Sequence, residues 1–192
     1  MGFAGNAPSP LKRLPPCSAL SDSRARQCPM VASAGDRHLD GMDKPRSHAR
    51  RTGRWSEPGR IYLVTFTTYH RMPRFLAWPE ASCAARILAA PATWPHVRLL
   101  CWVLMPDHWH GLIEFGNEPL SLAVRRAKAI TSRQWNRAHP RPERLWAQGF
   151  HDHALRKEED LLQVARYIVA NPLRADLAKR AGDYPFWNAI WL

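Results

Sequence analysis

The segment that most constrains the fold is HVRLLCWVLMPDHWHGLIEF, residues 96–115. Two β-branched and aromatic runs, 96–104 and 108–115, flank the turn sequence Met-Pro-Asp. Strands joined this tightly pair antiparallel and lie side by side. Side chains in a strand alternate between faces. His108 and His110 therefore share one face, and Trp109 takes the other with Ile113 and Phe115.

The flanking pattern extends this hairpin into a domain. IYLVTFTT (61–68) reads as a strand, and WPEASCAARILAA (78–90) as a helix with Ala81, Ala84, Ala85 and Leu88 at helical spacing, ended by Pro91. EPLSLAVRRAKAITSRQWNR (118–137) reads as a second helix, with Leu122, Ala123, Ala127 and Ile130 inward and Arg125, Arg126, Lys128 and Arg133 mostly outward. RPERLWAQ (141–148) is expected to be a loop, GFHDHALR (149–156) a short strand, and KEEDLLQVARYIVAN (157–171) a helix limited by Pro172. The tail GDYPFWNAIWL is expected to pack aromatics, with no element assigned. The order β-α-β-β-α-β-α predicts an α+β fold of the ferredoxin-like split βαβ type. Its antiparallel sheet carries helices on one face and leaves the other open to a partner. A C-terminal helix lies against or beside the sheet.

Residues 1–54 have a different texture, rich in Pro, Ser, Gly and Arg and without helix or strand period. They are expected to be a disordered basic extension, either a DNA-touching arm or an over-long reading frame with Met30 or Met42 as the start; the second is favoured. The catalytic domain would span 55–192. A net charge of +12 over 192 residues points to a polyanionic partner, nucleic acid above all. Four cysteines without metal-like spacing fit a reducing, cytoplasmic setting. No apolar run approaches the roughly 20 residues of a membrane span, and the N-terminus lacks a secretory pattern, so no membrane partner is expected.

Two neutral imidazoles at i and i+2 can bind one divalent cation or hydrogen-bond a phosphate; they can also be two surface histidines beside a turn. The last helix adds a second feature. At about 100° per residue, Asp160, Gln163, Asn171 and Arg174 fall within roughly 40° of Tyr167. Leu161, Leu162, Ala165, Ile168 and Val169 gather on the other side. Tyr167 therefore tops a polar stripe. Asn171 precedes Pro172, which disfavours helical geometry there, so Asn171 can alternatively cap a following turn.

YLVTFTTYHRMPRF, VLMPDHWHGLIE, GFHDHALRKEEDL and ARYIVANPLRADL together resemble the REP-associated tyrosine transposases, relatives of the IS200/IS605 transposases in the HUH single-strand endonuclease superfamily. The resemblance covers about residue 54 to the end. It implies that His108 and His110 bind a divalent metal, Mg2+ or Mn2+, that Asn171 helps to hold it, and that Tyr167 is the nucleophile. Asp107 stands where the family usually has Asn, and Asp176 where it commonly has Gly. Asp107 adds a carboxylate near the metal. Asp176 replaces a residue that takes positive φ easily, so the helix exit is expected to differ.

The implied activity is cleavage and strand transfer on single-stranded DNA through a 5′-phosphotyrosine intermediate. The implied partner is DNA folded into imperfect palindromic, REP-like hairpins, bound by a monomer or a homodimer in the bacterial cytoplasm at the nucleoid. Arg125, Arg126, Lys128 and Arg133 are the candidate phosphate contacts; Trp102 and Trp135, able in principle to stack bases, are expected in the core. Two rivals remain open at this point. One is a non-catalytic single-strand binder using the open sheet face. The other is a phosphoesterase in which His151 and His153 join the first pair in a larger metal site with water as nucleophile.

Overall fold

A computed structural model describes residues 59–139, 143–156 and 160–191. The expectation for residues 1–54 lies outside the described residues. The elements are β1 (Ile61–Thr67), α1 (Trp78–Ala89), β2 (Val97–Leu104), β3 (His108–Phe115), α2 (Leu120–Ala138), β4 (His151–Ala154), α3 (Leu161–Val169), α4 (Asn171–Arg174) and β5 (Trp187–Ala189). The five strands form one sheet in the order β4-β1-β3-β2-β5, antiparallel throughout. The first four strands follow the split βαβ pattern. β5 comes from the aromatic tail. Its three residues are too few for an alternating pattern to be readable, and only pairing with β2 defines them as a strand.

Each face of the sheet has its own chemistry. Tyr62, Val64 and Phe66 of β1 share a face with Trp102 and Leu104 of β2 and Trp109, Ile113 and Phe115 of β3, all buried. Trp109 is fully buried and stacks on Phe66 at 4.8 Å and on Trp94 at 5.5 Å between ring centroids. Its indole covers Gly111, where a Cβ would come within 1.9 Å of the ring. The sequence Trp-His-Gly thus lets a large ring lie flat along its own strand.

α1 and α2 cover this aromatic face. The buried stripe of α2 is Leu120, Ala123, Val124, Ala127, Thr131 and Trp135. Leu122 and Ile130, expected inward, are only half-buried. The stripe is rotated because Thr131 receives the Trp146 indole N–H at 2.7 Å and Trp135 meets Phe75 edge-on at 5.8 Å. Trp102 and Trp135 are core residues, as expected.

α3 packs on the opposite face. The Cys101 thiol, which points away from the aromatic face, donates to the Ala165 carbonyl at 3.7 Å. The open face expected from the sequence is therefore only half open: α3 lies over the β2–β5 side, and among the described residues no helix covers β1 and β4 on this face. Within α3 the buried residues are Ala165, Ile168 and Val169. Leu162, placed among the apolar residues by helical spacing, is exposed. The helix begins later than expected, at Leu161, because the Asp160 carboxylate caps it by accepting from the Leu162 and Gln163 amides. No helix among the described residues is long and apolar enough to cross a membrane.

Candidate active site

The histidine pair sits on the α3 face of the sheet. His108 and His110 are half-buried, with ring centroids 4.6 Å apart. Each ring is anchored through Nδ1. In His108 it meets Asp107 Oδ1 at 2.5 Å; in His110 it meets Thr65 Oγ1 at 2.6 Å, across the β1–β3 ladder. A carboxylate or hydroxyl accepting from Nδ1–H leaves the Nε2 lone pair free for a ligand. Burial above all, with the Arg174 charge adding to it, pushes the His110 pKa down to about 3, so this imidazole is neutral.

Asp107, the departure from the family pattern, joins two partners. Its other oxygen accepts from Arg71 at 3.2 Å. Burial opposes its ionisation, but the hydrogen bond with His108, together with the Arg71 guanidinium, holds the carboxyl below its ordinary range. Arg71 is placed by an unusual turn: His70 and Arg71 are consecutive residues at φ of 54° and 52°. Thr68 pins that turn, its hydroxyl donating to the Met72 and Asp107 carbonyls and its amide donating to the Asp107 carbonyl. A left-handed pair of non-glycine residues costs roughly 1–2 kcal/mol per residue. Thr65, Arg71 and His70 carried no signal in the sequence, because their roles arise from a cross-strand register and a backbone conformation.

Tyr167 is exposed on α3, and Asn171 is buried at the start of α4. Asn171 does not cap the following turn. Its Nδ2 donates back to the Tyr167 and Ile168 carbonyls at 3.2 and 2.9 Å, closing the end of α3. Arg174 joins the two residues: its Nη2 donates to the Tyr167 hydroxyl at 2.9 Å and to Asn171 Oδ1 at 3.2 Å, and its Cζ lies 3.9 Å from the centre of the Tyr167 ring. Because α3 packs on the face that carries Cys101, and Val103 of that face pairs with His110, α3 and α4 bring the tyrosine and the asparagine to the histidine side of the sheet. The polar stripe read from the sequence already contained Arg174; only the folded contacts give it a position in the site.

The exit from α4 keeps the backbone that a glycine would adopt. Asp176 has φ of 52°, the Asp176 amide reaches the Leu173 carbonyl and the Leu177 amide reaches the Pro172 carbonyl. This is the double hydrogen bond of a Schellman terminus. The expected change at the helix exit does not occur, because Asp is among the few side chains that tolerate the left-handed region.

The remaining candidates lie apart from these residues. Arg125, Arg126, Lys128 and Arg133 are on α2, across the sheet from the histidines. Arg126 is engaged by a two-pronged pair with the buried Glu118. Lys128 donates to the Ala147 and Gly149 carbonyls and sits over the Phe66 ring. Arg125 and Arg133 are exposed. His151 and His153 do face the histidine side, since His151 pairs with Thr65 and His153 with Leu63. Yet β1 separates β4 from β3, so their backbones stand about 10 Å from the first pair, two strand spacings away. The four imidazoles do not converge on one ion. Among the described residues no group of three or more His, Cys, Asp or Glu is arranged to hold a metal.

Comparisons with known proteins bear on the family and the fold. Residues 60–171 match the family model described as Transposase IS200 like. A Haemophilus influenzae protein described as uncharacterized is 33% identical over 107 residues, covering 43% of this chain and 58% of its own length. An Escherichia coli REP-associated tyrosine transposase is 29% identical over 87 residues, covering 44% of this chain and 50% of its own length. The chain thus spans only about half the length of these relatives. A solved structure of a REP-associated tyrosine transposase bound to a REP hairpin superposes with a TM-score of 0.57 at 21% identity, over 76% of this chain and 82% of that one, which supports the same fold. With the family model spanning the hairpin, both helices of the aromatic face, and the tyrosine helix as far as Asn171, the chain belongs to the IS200-like transposase family.

Proposed function

We propose that this protein is a metal-dependent single-stranded DNA endonuclease and strand transferase acting on hairpin-forming, REP-like repeats. The observation that carries the reading is the packing of α3 on the histidine face, which sets Tyr167 and Asn171 on the same side of the sheet as His108 and His110.

The two imidazoles fit a divalent ion. Both Nδ1 atoms are taken by oxygen partners, His110 is neutral, and with the proton on Nδ1 each Nε2 lone pair would be available to the ion. His108 and His110 would hold Mg2+ or Mn2+, with the Asn171 carboxamide oxygen as a further ligand. When bound, the ion polarises a phosphoryl oxygen and offsets charge that develops on it. The chain's own residues do the rest. Asp107 and Thr65 fix the ring orientations. Tyr167 supplies the nucleophile. Its phenolic oxygen bonds to phosphorus as the bond from phosphorus to the 3′ oxygen breaks. The electron pair stays on that 3′ oxygen, which takes a proton; the phenol proton leaves to solvent. The products are a 5′-phosphotyrosyl link and a free 3′-hydroxyl, and a 3′-hydroxyl from another end reverses the step. One tyrosine carries one link at a time, so exchange between two ends uses one copy twice or a homodimer.

Of the four proposed phosphate contacts on α2, Arg125 and Arg133 are exposed and available for the DNA backbone; Arg126 and Lys128 would have to give up their present partners first. The setting is the bacterial cytoplasm, at the nucleoid where the repeats lie. Incubation with hairpin DNA and Mn2+ tests the reading. The wild-type protein is expected to give a covalent, band-shifted adduct, and Tyr167→Phe none. Cutting without an adduct would favour a water-using phosphoesterase. Binding without cutting would favour a plain single-strand binder.

A further inference from the structure

Arg174 is a cation in the candidate site with no carboxylate partner among the described residues. Among the described residues its only hydrogen-bond partners are two neutral oxygens, the Tyr167 hydroxyl at 2.9 Å and Asn171 Oδ1 at 3.2 Å, both reached through Nη2. The other site arginine, Arg71, is by contrast paired with Asp107. The helix before it, α3, packs on the sheet face that carries His110, since Cys101 bonds to Ala165 and Val103 of the same face pairs with His110. The Schellman terminus at Asp176 ends α4 immediately beyond Arg174. A planar, exposed guanidinium with unused donors, held on the flank of a phenol, has the geometry that recognises phosphate oxygens.

We propose that Arg174 is the phosphate clamp of this site: in the free protein it holds the Tyr167 hydroxyl, and with DNA bound it turns its remaining donors on a non-bridging oxygen of the scissile phosphate. The same contact would serve the phosphotyrosyl product, whose phosphorus is attached to the oxygen that Arg174 already touches. The proposal rests on the function proposed above. It adds a transition-state contact made by the protein itself, beside any metal.

The test uses the full chain, a hairpin oligonucleotide with its single-stranded flank, and Mn2+. Arg174→Ala should slow single-turnover cleavage by about 10²–10³-fold, the loss typical of removing one donor to developing charge. Hairpin affinity should fall far less. Arg174→Lys should recover part of the rate, and guanidinium ion added at low millimolar concentration should restore part of the Arg174→Ala rate. A merely structural arginine would show neither recovery. Independently of cleavage, Arg174→Ala should remove the preference for a short 5′-phosphorylated oligonucleotide over its unphosphorylated form. Cleavage by Arg174→Ala at the wild-type rate, or loss without rescue by either route, overturns the clamp. If wild-type protein forms no adduct but prefers the phosphorylated oligonucleotide through Arg174, the clamp stands and the tyrosine chemistry falls. If it shows neither, both fall.

Discussion

β3 presents two unlike faces from eight residues. Toward α1 and α2 it offers Trp109, Ile113 and Phe115, all buried, with Gly111 making room for the indole. Toward α3 it offers His108 and His110, held by an aspartate and a threonine. One face is optimised for apolar contact and tolerates little change in volume. The other holds two polar rings whose ligand-facing nitrogens are left over after orientation is fixed. The aromatic face accepts a cost of its own: the Trp109 indole N–H is buried without a partner among the described residues. Such an orphan donor costs about 1–3 kcal/mol, which the stacking and burial of the ring must exceed. Stability and chemistry are thus carried by alternate residues of the same strand, and substitutions should separate them.

The largest effect is expected on the aromatic face. Trp109→Ala should cost about 3–5 kcal/mol of unfolding free energy, and Gly111→Ala about 1–3 kcal/mol through overpacking against a ring that cannot yield. Denaturant titration measures both. A Gly111→Ala protein as stable as wild type would mean that the ring can move aside. On the histidine face, His108→Ala and His110→Ala should abolish cleavage while shifting unfolding by no more than about 1 kcal/mol and leaving hairpin binding largely intact. Cleavage by either variant at the wild-type rate would remove the metal reading. Asp107→Asn keeps the shape and removes the charge behind His108. It should weaken Mn2+ binding by about 10–100-fold, read by titration. The smallest change is expected away from both faces. Asp176→Gly relieves the left-handed residue and should stabilise by about 1 kcal/mol at most, with cleavage unchanged.

Much of this was legible because period-two alternation is a local property. The hairpin, its two faces and the shared side of the histidines follow from residues 96–115 alone. The helical stripe that carries Tyr167, Asn171 and Arg174 was also legible. Three things were not. β5 exists only through pairing with β2. The side of the sheet chosen by α3 depends on contacts such as Cys101 to Ala165, between residues 64 positions apart. The four α2 cations read as one outward set, yet Glu118 engages Arg126 and loop carbonyls engage Lys128. Charge on a helix can be counted in a sequence; whether it is already compensated cannot.

The most direct measurement of the central claim is peptide mapping of the protein–DNA adduct. Wild-type protein, a hairpin oligonucleotide and Mn2+ would be allowed to react, the DNA trimmed and the protein digested, and the modified peptide sequenced by mass spectrometry. The account predicts a single 5′-phosphoryl nucleotide remnant on the Tyr167 oxygen, absent when Mn2+ is chelated and absent from His110→Ala. A remnant on Tyr69 or another residue, or cleavage with no modified peptide at all, would contradict it.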